Sequence, residues 1–463
     1  MTTRRSFIKR SILGLLAGTV SLNAKSQAID KPNIILISTD EHYAGAMSCA
    51  GNINVSTPAI DSIAAAGVRF EKSYCAFPLC TPARAAVMTS RMPYELGVSG
   101  NDQGIPDNVE TFGETFRNAG YQTFWTGKWH VPIESPEPGS NDVRGFDVLP
   151  YDDPFYNGNM AELDINSVKS TIKFLRGKPI EPFLLSISLN NPHDITHVTE
   201  ETINQFGIPT NPVLLPHLTR NFYAPDLEFG QVKGSTTPPA LNSNVEWSNL
   251  TFRRHSYQYY RFIEIVDSQI GKILKEIKLA GLEANTYLVF TGDHGEMNGS
   301  HRRIRKLSMY DEALSVPFII RGPGIPKGIV NRKHLISALD IYPTLCDAAG
   351  ITPPHGLRGK SALKVLKNFN TPVRKYAFAQ VGNYFSRVAI STHYKYALFL
   401  KTHTAYNVPV REAFFDMDRD PGETKNLIDD IALKPIINSH RKALNKWMVH
   451  TDDPFVTQAV VVD

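Results

Sequence analysis

Three apolar runs, each closing on polar residues, constrain this 463-residue chain more than any other feature. The first is Pro32-Asn33-Ile34-Ile35-Leu36-Ile37-Ser38-Thr39-Asp40. Glu181-Pro182-Phe183-Leu184-Leu185-Ser186-Ile187-Ser188-Leu189 leads into Asn190-Asn191-Pro192-His193, and Thr286-Tyr287-Leu288-Val289-Phe290-Thr291 into Gly292-Asp293-His294-Gly295-Glu296. Strands with one wet face alternate apolar and polar residues. Unbroken runs bounded by turn signals fit strands buried on both faces of an α/β sheet. In open α/β sheets ligands bind past the carboxyl ends of the strands, which places Asp40 where a metal ligand would be.

Helical punctuation fills the intervals. Thr57-Pro58 to Gly67 is predicted as a short helix with Thr57 as its N-cap, and Gly113–Tyr121 spans another capped helix. Tyr257 to Ala280 is predicted as one long amphipathic helix, with Ile263, Val266, Ile270, Ile273, Leu274 and Ile277 on one face. Residues 198–250, rich in Pro, Asn and Thr, have no clear period and read as an insertion shaping a pocket. Beyond about residue 370 the pattern becomes four short alternating segments and a last helix near 436–449, the signature of an antiparallel subdomain.

The first residues form an address rather than a fold. Arg4-Arg5-Ser6-Phe7-Ile8-Lys9 precedes a short apolar run and small residues ending near Ala24 or Ala28, too short to span a bilayer. Residues 1–28 resemble a twin-arginine signal peptide, which implies folded export to the periplasm or medium through the twin-arginine machinery. With no cysteine at the cleavage site, no stable membrane anchor is expected. Removing Arg4, Arg5, Lys9, Arg10 and Lys25 turns the formal charge of +4 into about −1, so nothing argues for nucleic acid. Cys49, Cys75, Cys80 and Cys346 form no zinc-like pair and are too sparse for a disulfide framework; a single disulfide is left open.

Cys80-Thr81-Pro82-Ala83-Arg84 follows a short strand-like Val68-Arg69-Phe70 and opens a stretch of helical composition, so Cys80 is predicted at a helix N-terminus, where an anion is favoured. The C-x-P-x-R pattern resembles the signature of the type I (formylglycine-dependent) sulfatases. Gly127-Lys128-Trp129-His130, the Pro192-His193 pair, Gly292-Asp293-His294-Gly295 and Lys306 with Tyr310-Asp311-Glu312 resemble the family's later motifs, in its order. Arg321-Gly322-Pro323-Gly324 and the Asp416 to Leu427 region fit it too, so the resemblance covers about residues 31 to 450.

The resemblance implies that Cys80 is oxidised to formylglycine (3-oxoalanine) by a formylglycine-generating enzyme, and twin-arginine export implies that this happens in the cytoplasm, before folding. As a geminal diol, one oxygen attacks sulfur and the other collapses to the aldehyde and expels sulfate. Arg84 would steady that group, Lys128 and Lys306 hold sulfate oxygens, His130 act as base and His193 protonate the leaving alcohol. Asp40, Glu41, Cys80, Asp293 and His294 would meet a divalent cation; the family's usual second acid is aspartate where this chain has Glu41. Oxygen donors favour Ca2+, while the histidine keeps another divalent metal open. His197, Arg302 and Arg305 are candidates for the sugar, with Asp194 beside them, and Arg303 reads as part of a solvated turn.

The implied architecture is an alkaline-phosphatase-like α/β domain over residues 29–370, with a large mixed central sheet flanked by helices. Residues 371–463 would add a smaller subdomain carrying a four-stranded antiparallel sheet. The implied activity is hydrolysis of sulfate esters, on sulfated poly- or oligosaccharide. A phosphomonoester or phosphonate hydrolase on the same fold, and a silent glycan-binding protein with Cys80 unmodified, are the alternatives.

Overall fold

The first apolar run forms β1 (Asn33–Asp40), whose side chains alternate between two cores. Ile34 and Leu36 enter one, Ile35 and Ile37 the other. The computed structural model describes residues 31–133, 136–151, 160–199, 202–203, 207–225, 227, 247–370, 372–382, 386–400 and 412–460. The proposed leader, residues 1–28, and much of the 198–250 insertion lie outside the described residues.

β1 joins β2 (Val68–Tyr74), β3 (Gln122–Gly127), β4 (Asp147–Val148), β5 (Phe183–Pro192), β6 (Thr286–Gly292), β7 (Phe318–Arg321) and β8 (Ile329–Ser337) in the order β4-β3-β5-β1-β6-β7-β2-β8. All neighbours are parallel except β7, which runs antiparallel to β6 and β2. A parallel connection needs a long crossover, usually a helix. Between β6 and β7 the described chain holds only short helices, so it returns in the opposite sense.

The helices are α1 (Pro58–Ala65), α2 (Cys80–Thr89), α3 (Phe112–Asn118), α4 (Met160–Arg176), α5 (Asn249–Leu279), α6 (Asp311–Leu314), α7 (Ile341–Ala349), α8 (Leu363–Lys367) and α9 (Lys434–His450). Residues of α1, α4 and α5 pack on one face of the sheet, and residues of α2, α3 and α7 on the other. Two helix starts differ from the sequence reading. Thr57 does not cap α1: its hydroxyl bonds Asp61, and the Ala59 and Ile60 N–H groups donate to Asp267 of α5 instead. α5 begins ahead of Tyr257 because Ser248 accepts the Thr251 N–H and caps an earlier turn.

β9 (Ala377–Val381), β10 (Ser386–Ile390), β11 (Tyr394–Phe399) and β12 (Glu412–Asp416) form the expected antiparallel sheet. α9 covers one face through Ile437, Leu444 and Met448. The other face shares a core with the large sheet, Val381, Val388 and Phe415 clustering with Tyr74, Tyr310 and Leu335. Lys31–Asp463 thus forms one compact unit. Cys49, Cys75, Cys80 and Cys346 are all free thiols, so the open question of a disulfide closes on none. Among the described residues no helix is long and apolar enough to cross a membrane.

Candidate active site

Parallel pairing brings the chemistry together. In the register Asp40 lies opposite Pro192, Thr39 opposite Gly292 and Gly127 opposite Ser188. The residues that end or follow these strands, Asp40, His193, Asp293, His294 and Lys128, therefore emerge on one edge of the sheet. α2 starts at the same edge, with Leu79 extended before it. Cys80 is 1% exposed, and its Sγ lies 3.2 Å from His294 Nε2, 3.4 Å from Lys306 Nζ and 3.6 Å from Asp40 Oδ1. His130 reaches the same sulfur, held in a left-handed turn (φ 53°) while the Thr81 hydroxyl donates to its carbonyl.

Buried charges are cross-linked by forks. Arg84 donates from Nε to Asp293 and from Nη2 to Asp40, both at 3.0 Å, and from Nη1 to Ser188 Oγ at 2.7 Å. Lys128 Nζ lies 2.9 Å from Asp40 and 3.1 Å from Asn190 Oδ1. Lys306 Nζ meets Glu41 at 2.9 Å. Burial works to raise the pKa of Asp40, yet Lys128, His193, Arg84 and Lys306 hold it well below the carboxylate range. Burial and Asp40 likewise oppose ionisation of Cys80, but Lys306, His294 and His130 outweigh them and depress the thiol. Burial, with Lys128 adding to it, lowers His193 to about 3.

Asp40, Cys80, Asp293 and His294 present ligand atoms all within 4.8 Å of one another, and Asp40, Glu41 and His193 make an overlapping second group. His294 Nδ1 faces the Gly295 carbonyl at 3.0 Å, which turns Nε2 towards the carboxylates. Burial depresses His294, but Asp293 and Cys80 bring it up to about 9: surroundings that favour a proton on Nε2 also favour a cation. Glu41 Oε1 is buried without a donor, and burial with the facing Glu296 raises that carboxyl despite Lys306. The donor set fits a divalent cation. Glu41 stands with Asp40 and His193, adjoining the four-donor group rather than within it.

The other sequence candidates sit at the margin. His197 is exposed, its ring 6.1 Å from that of His193. Arg305 is half-buried and donates to the Thr196 carbonyl at 2.9 Å. Arg302 packs over Phe222 and Phe252, at 5.1 and 5.7 Å, and serves a hydrophobic cluster. Arg303, expected in a solvated turn, is 2% exposed. Sequence reasoning missed Asn190, which bonds both Lys128 and Asp194, and Asp164, which accepts the Asn190 and Asn191 N–H groups. The polar pair closing an apolar strand was the available signal for the asparagines; Asp164 has none.

Residues 32–351 match the sulfatase family model. This chain belongs to the sulfatase family. Residues 299–450 also match the C-terminal model of N-sulphoglucosamine sulphohydrolase. The sulfatase is 29% identical over 478 residues to a Delta 4,5-hexuronate-2-O-sulfatase of Bacteroides thetaiotaomicron, covering 96% of this chain and 95% of that one. An ulvan-active sulfatase of Formosa agariphila is 29% identical over 448 residues, covering 92% and 82%. A solved 2-O GAG sulfatase aligns with TM-score 0.77 and 28% identity over 94% of this chain and 95% of that one. The phosphonate monoester hydrolase of Agrobacterium radiobacter, at 21% identity and TM-score 0.71 over 91% and 96%, shares the fold. The sulfatase is a sulfuric ester hydrolase of mixed α/β architecture, and its family implies a metal ion and formylglycine.

Proposed function

We propose that this sulfatase removes sulfate from a sulfated carbohydrate, using Cys80 after oxidation to formylglycine. The observation that carries the reading is the convergence of Lys306, His294 and Asp40 on one buried sulfur, at 3.4, 3.2 and 3.6 Å. As a hydrated aldehyde, residue 80 supplies the oxygen that attacks sulfur. Lys128 and Lys306 flank it and bind sulfate oxygens, and Arg84 keeps the two aspartates in place around it. His130 takes a proton from the diol. His193 is held neutral by burial, with Lys128 adding to it, which lowers its pKa to about 3. An arriving sulfate offsets that positive field, the condition under which His193 holds a proton for the leaving alcohol.

Asp40, Asp293 and His294 would hold Ca2+ beside residue 80, with Glu41 adjoining them through Asp40, and the ion would supply polarisation of the sulfate. The relatives act on sulfated glycans by name, which supports carbohydrate as substrate. His197 and Arg305 are assigned to its rim, with Arg302 supporting that wall through packing. Residues 29–370 form the catalytic domain and 371–463 the subdomain in this reading. Export follows from the twin-arginine segment, to the periplasm or medium, after modification by a formylglycine-generating enzyme in the cytoplasm.

The test is sulfate release from sulfated oligosaccharides and aryl sulfates by protein co-produced with a formylglycine-generating enzyme. Cys80→Ala is run alongside, and phosphate and phosphonate esters in parallel. Sulfate release that disappears in Cys80→Ala is expected. Turnover of the phosphorus esters alone would move the chain to the phosphonate hydrolases that share its fold.

A further inference from the structure

Lys306 reaches Cys80 from an awkward backbone. Asn298, His301, Arg302, Arg305 and Leu307 all have φ between 45° and 69°, and Gly299 lies at 94°. Side-chain-bearing residues avoid this left-handed region, so a run of them holds only where surrounding structure over-determines it. On the sheet side, Glu296 accepts the Arg305 and Asn298 N–H groups at 2.7 and 2.9 Å, and the Leu307 N–H donates to the Pro78 carbonyl at 3.0 Å.

The other restraint comes from the C-terminal sheet. Lys395 of β11 is fully buried, its Nζ 2.6 Å from Asp311, 2.9 Å from Glu423 and 3.2 Å from the Met309 carbonyl. Glu423, past β12, accepts the Asp311 N–H at 2.7 Å. Next to it, the Gly422 carbonyl faces His301 Nε2 at 3.1 Å and receives Asn221 Nδ2 at 3.0 Å. The His301 ring stacks on Tyr310 at 3.7 Å and 12°. Residues Met309 to Asp311 begin three positions after Lys306, so the clamp grips the strained segment just beyond the lysine.

We propose that Lys395 and Glu423 are positioning residues for Lys306. They touch no reacting atom. By fixing Met309–Asp311 they keep the left-handed run in the conformation that sets Lys306 Nζ 3.4 Å from Cys80 Sγ. This rests on the reading of Lys306 as a sulfate-binding cation, and it gives the C-terminal sheet a part in catalysis although none of its described residues lies within bonding distance of Cys80.

The test uses full-length, formylglycine-bearing protein with 4-nitrophenyl sulfate as substrate and inorganic sulfate as inhibitor. Lys395→Met, Glu423→Gln and Lys306→Ala are each expected to lower kcat/KM about tenfold or more and to weaken sulfate inhibition. In a Lys306→Ala background, Lys395→Met should cost nothing further. Glu423→Gln keeps the shape and the Asp311 bond, so it reports on position should Lys395→Met fail to fold. Full activity in Glu423→Gln, or losses that multiply in the Lys306→Ala background, overturns the proposal. A Lys306→Ala enzyme as active as the parent, with Cys80→Ala dead, would instead remove the reading of Lys306 beneath it.

Discussion

Arg84 shows how one side chain can organise a site without reacting in it. Its planar fork joins Asp40, Asp293 and Ser188 from three neighbouring strands or strand ends, which a lysine's single ammonium cannot do. Asp164 acts at one remove, holding the Asn190–Asn191 backbone ahead of His193. Burial raises Asp164 from 3.8 to about 7, against the two N–H donors that lower it. Between those values the folded chain keeps a proton that the unfolded chain has lost. Stability from this group is therefore full below about pH 4 and falls by about 1.4 kcal/mol per unit as pH rises towards 7. Asp164→Asn is expected to flatten that slope in urea melts between about pH 5 and 7; an unchanged slope would rule Asp164 out as its source. Asp40, Lys128, His193, Asp293 and Lys306 are legible in the sequence because each follows an apolar run or keeps a motif's spacing. Asp164 is not, because its partners lie on another element. Arg302 misleads for the converse reason: a basic run reads alike whether its guanidinium meets a sugar or the rings of Phe222 and Phe252.

Among the elements, β3 leaves no room at its end. Gly127 ends it at φ 91°, and a Cβ there would stand 2.0 Å from the Ser188 carbonyl oxygen of β5. Gly127→Ala must push the strands apart or twist the turn, and Lys128 moves with it. A stability loss of about 2 kcal/mol or more is expected, read as a lower Tm, together with a larger loss of kcat than of stability. Normal kcat in a folded Gly127→Ala protein would show that Lys128 is not held by this turn. The strands were legible because burial on both faces leaves an unbroken apolar run, and the four C-terminal strands because they alternate. The reversal of β7, the early start of α5 and the capping of α1 by Asp267 depend on contacts between distant residues, which no local pattern carries.

For the whole molecule, a cation that binds only the folded chain adds stability by mass action, about 2.7 kcal/mol at a hundredfold excess over Kd. Treatment with EDTA is expected to lower Tm by a few degrees, and Ca2+ to restore it. A Tm indifferent to chelation, in protein shown to be stripped of metal, would contradict a cation among Asp40, Asp293 and His294. The strand order has a temporal side as well. β1, made first, sits between β5 and β6, and its last partner residue is Gly292. At about 5–20 residues per second, the roughly 210 residues from Cys80 to Gly292 take about 10–40 s to synthesise. Throughout that interval the central strand lacks a neighbour, and the helix start that ends up 1% exposed has no finished sheet to close over it. The topology thus acts as a clock, leaving Cys80 unburied for tens of seconds before the fold shuts it away.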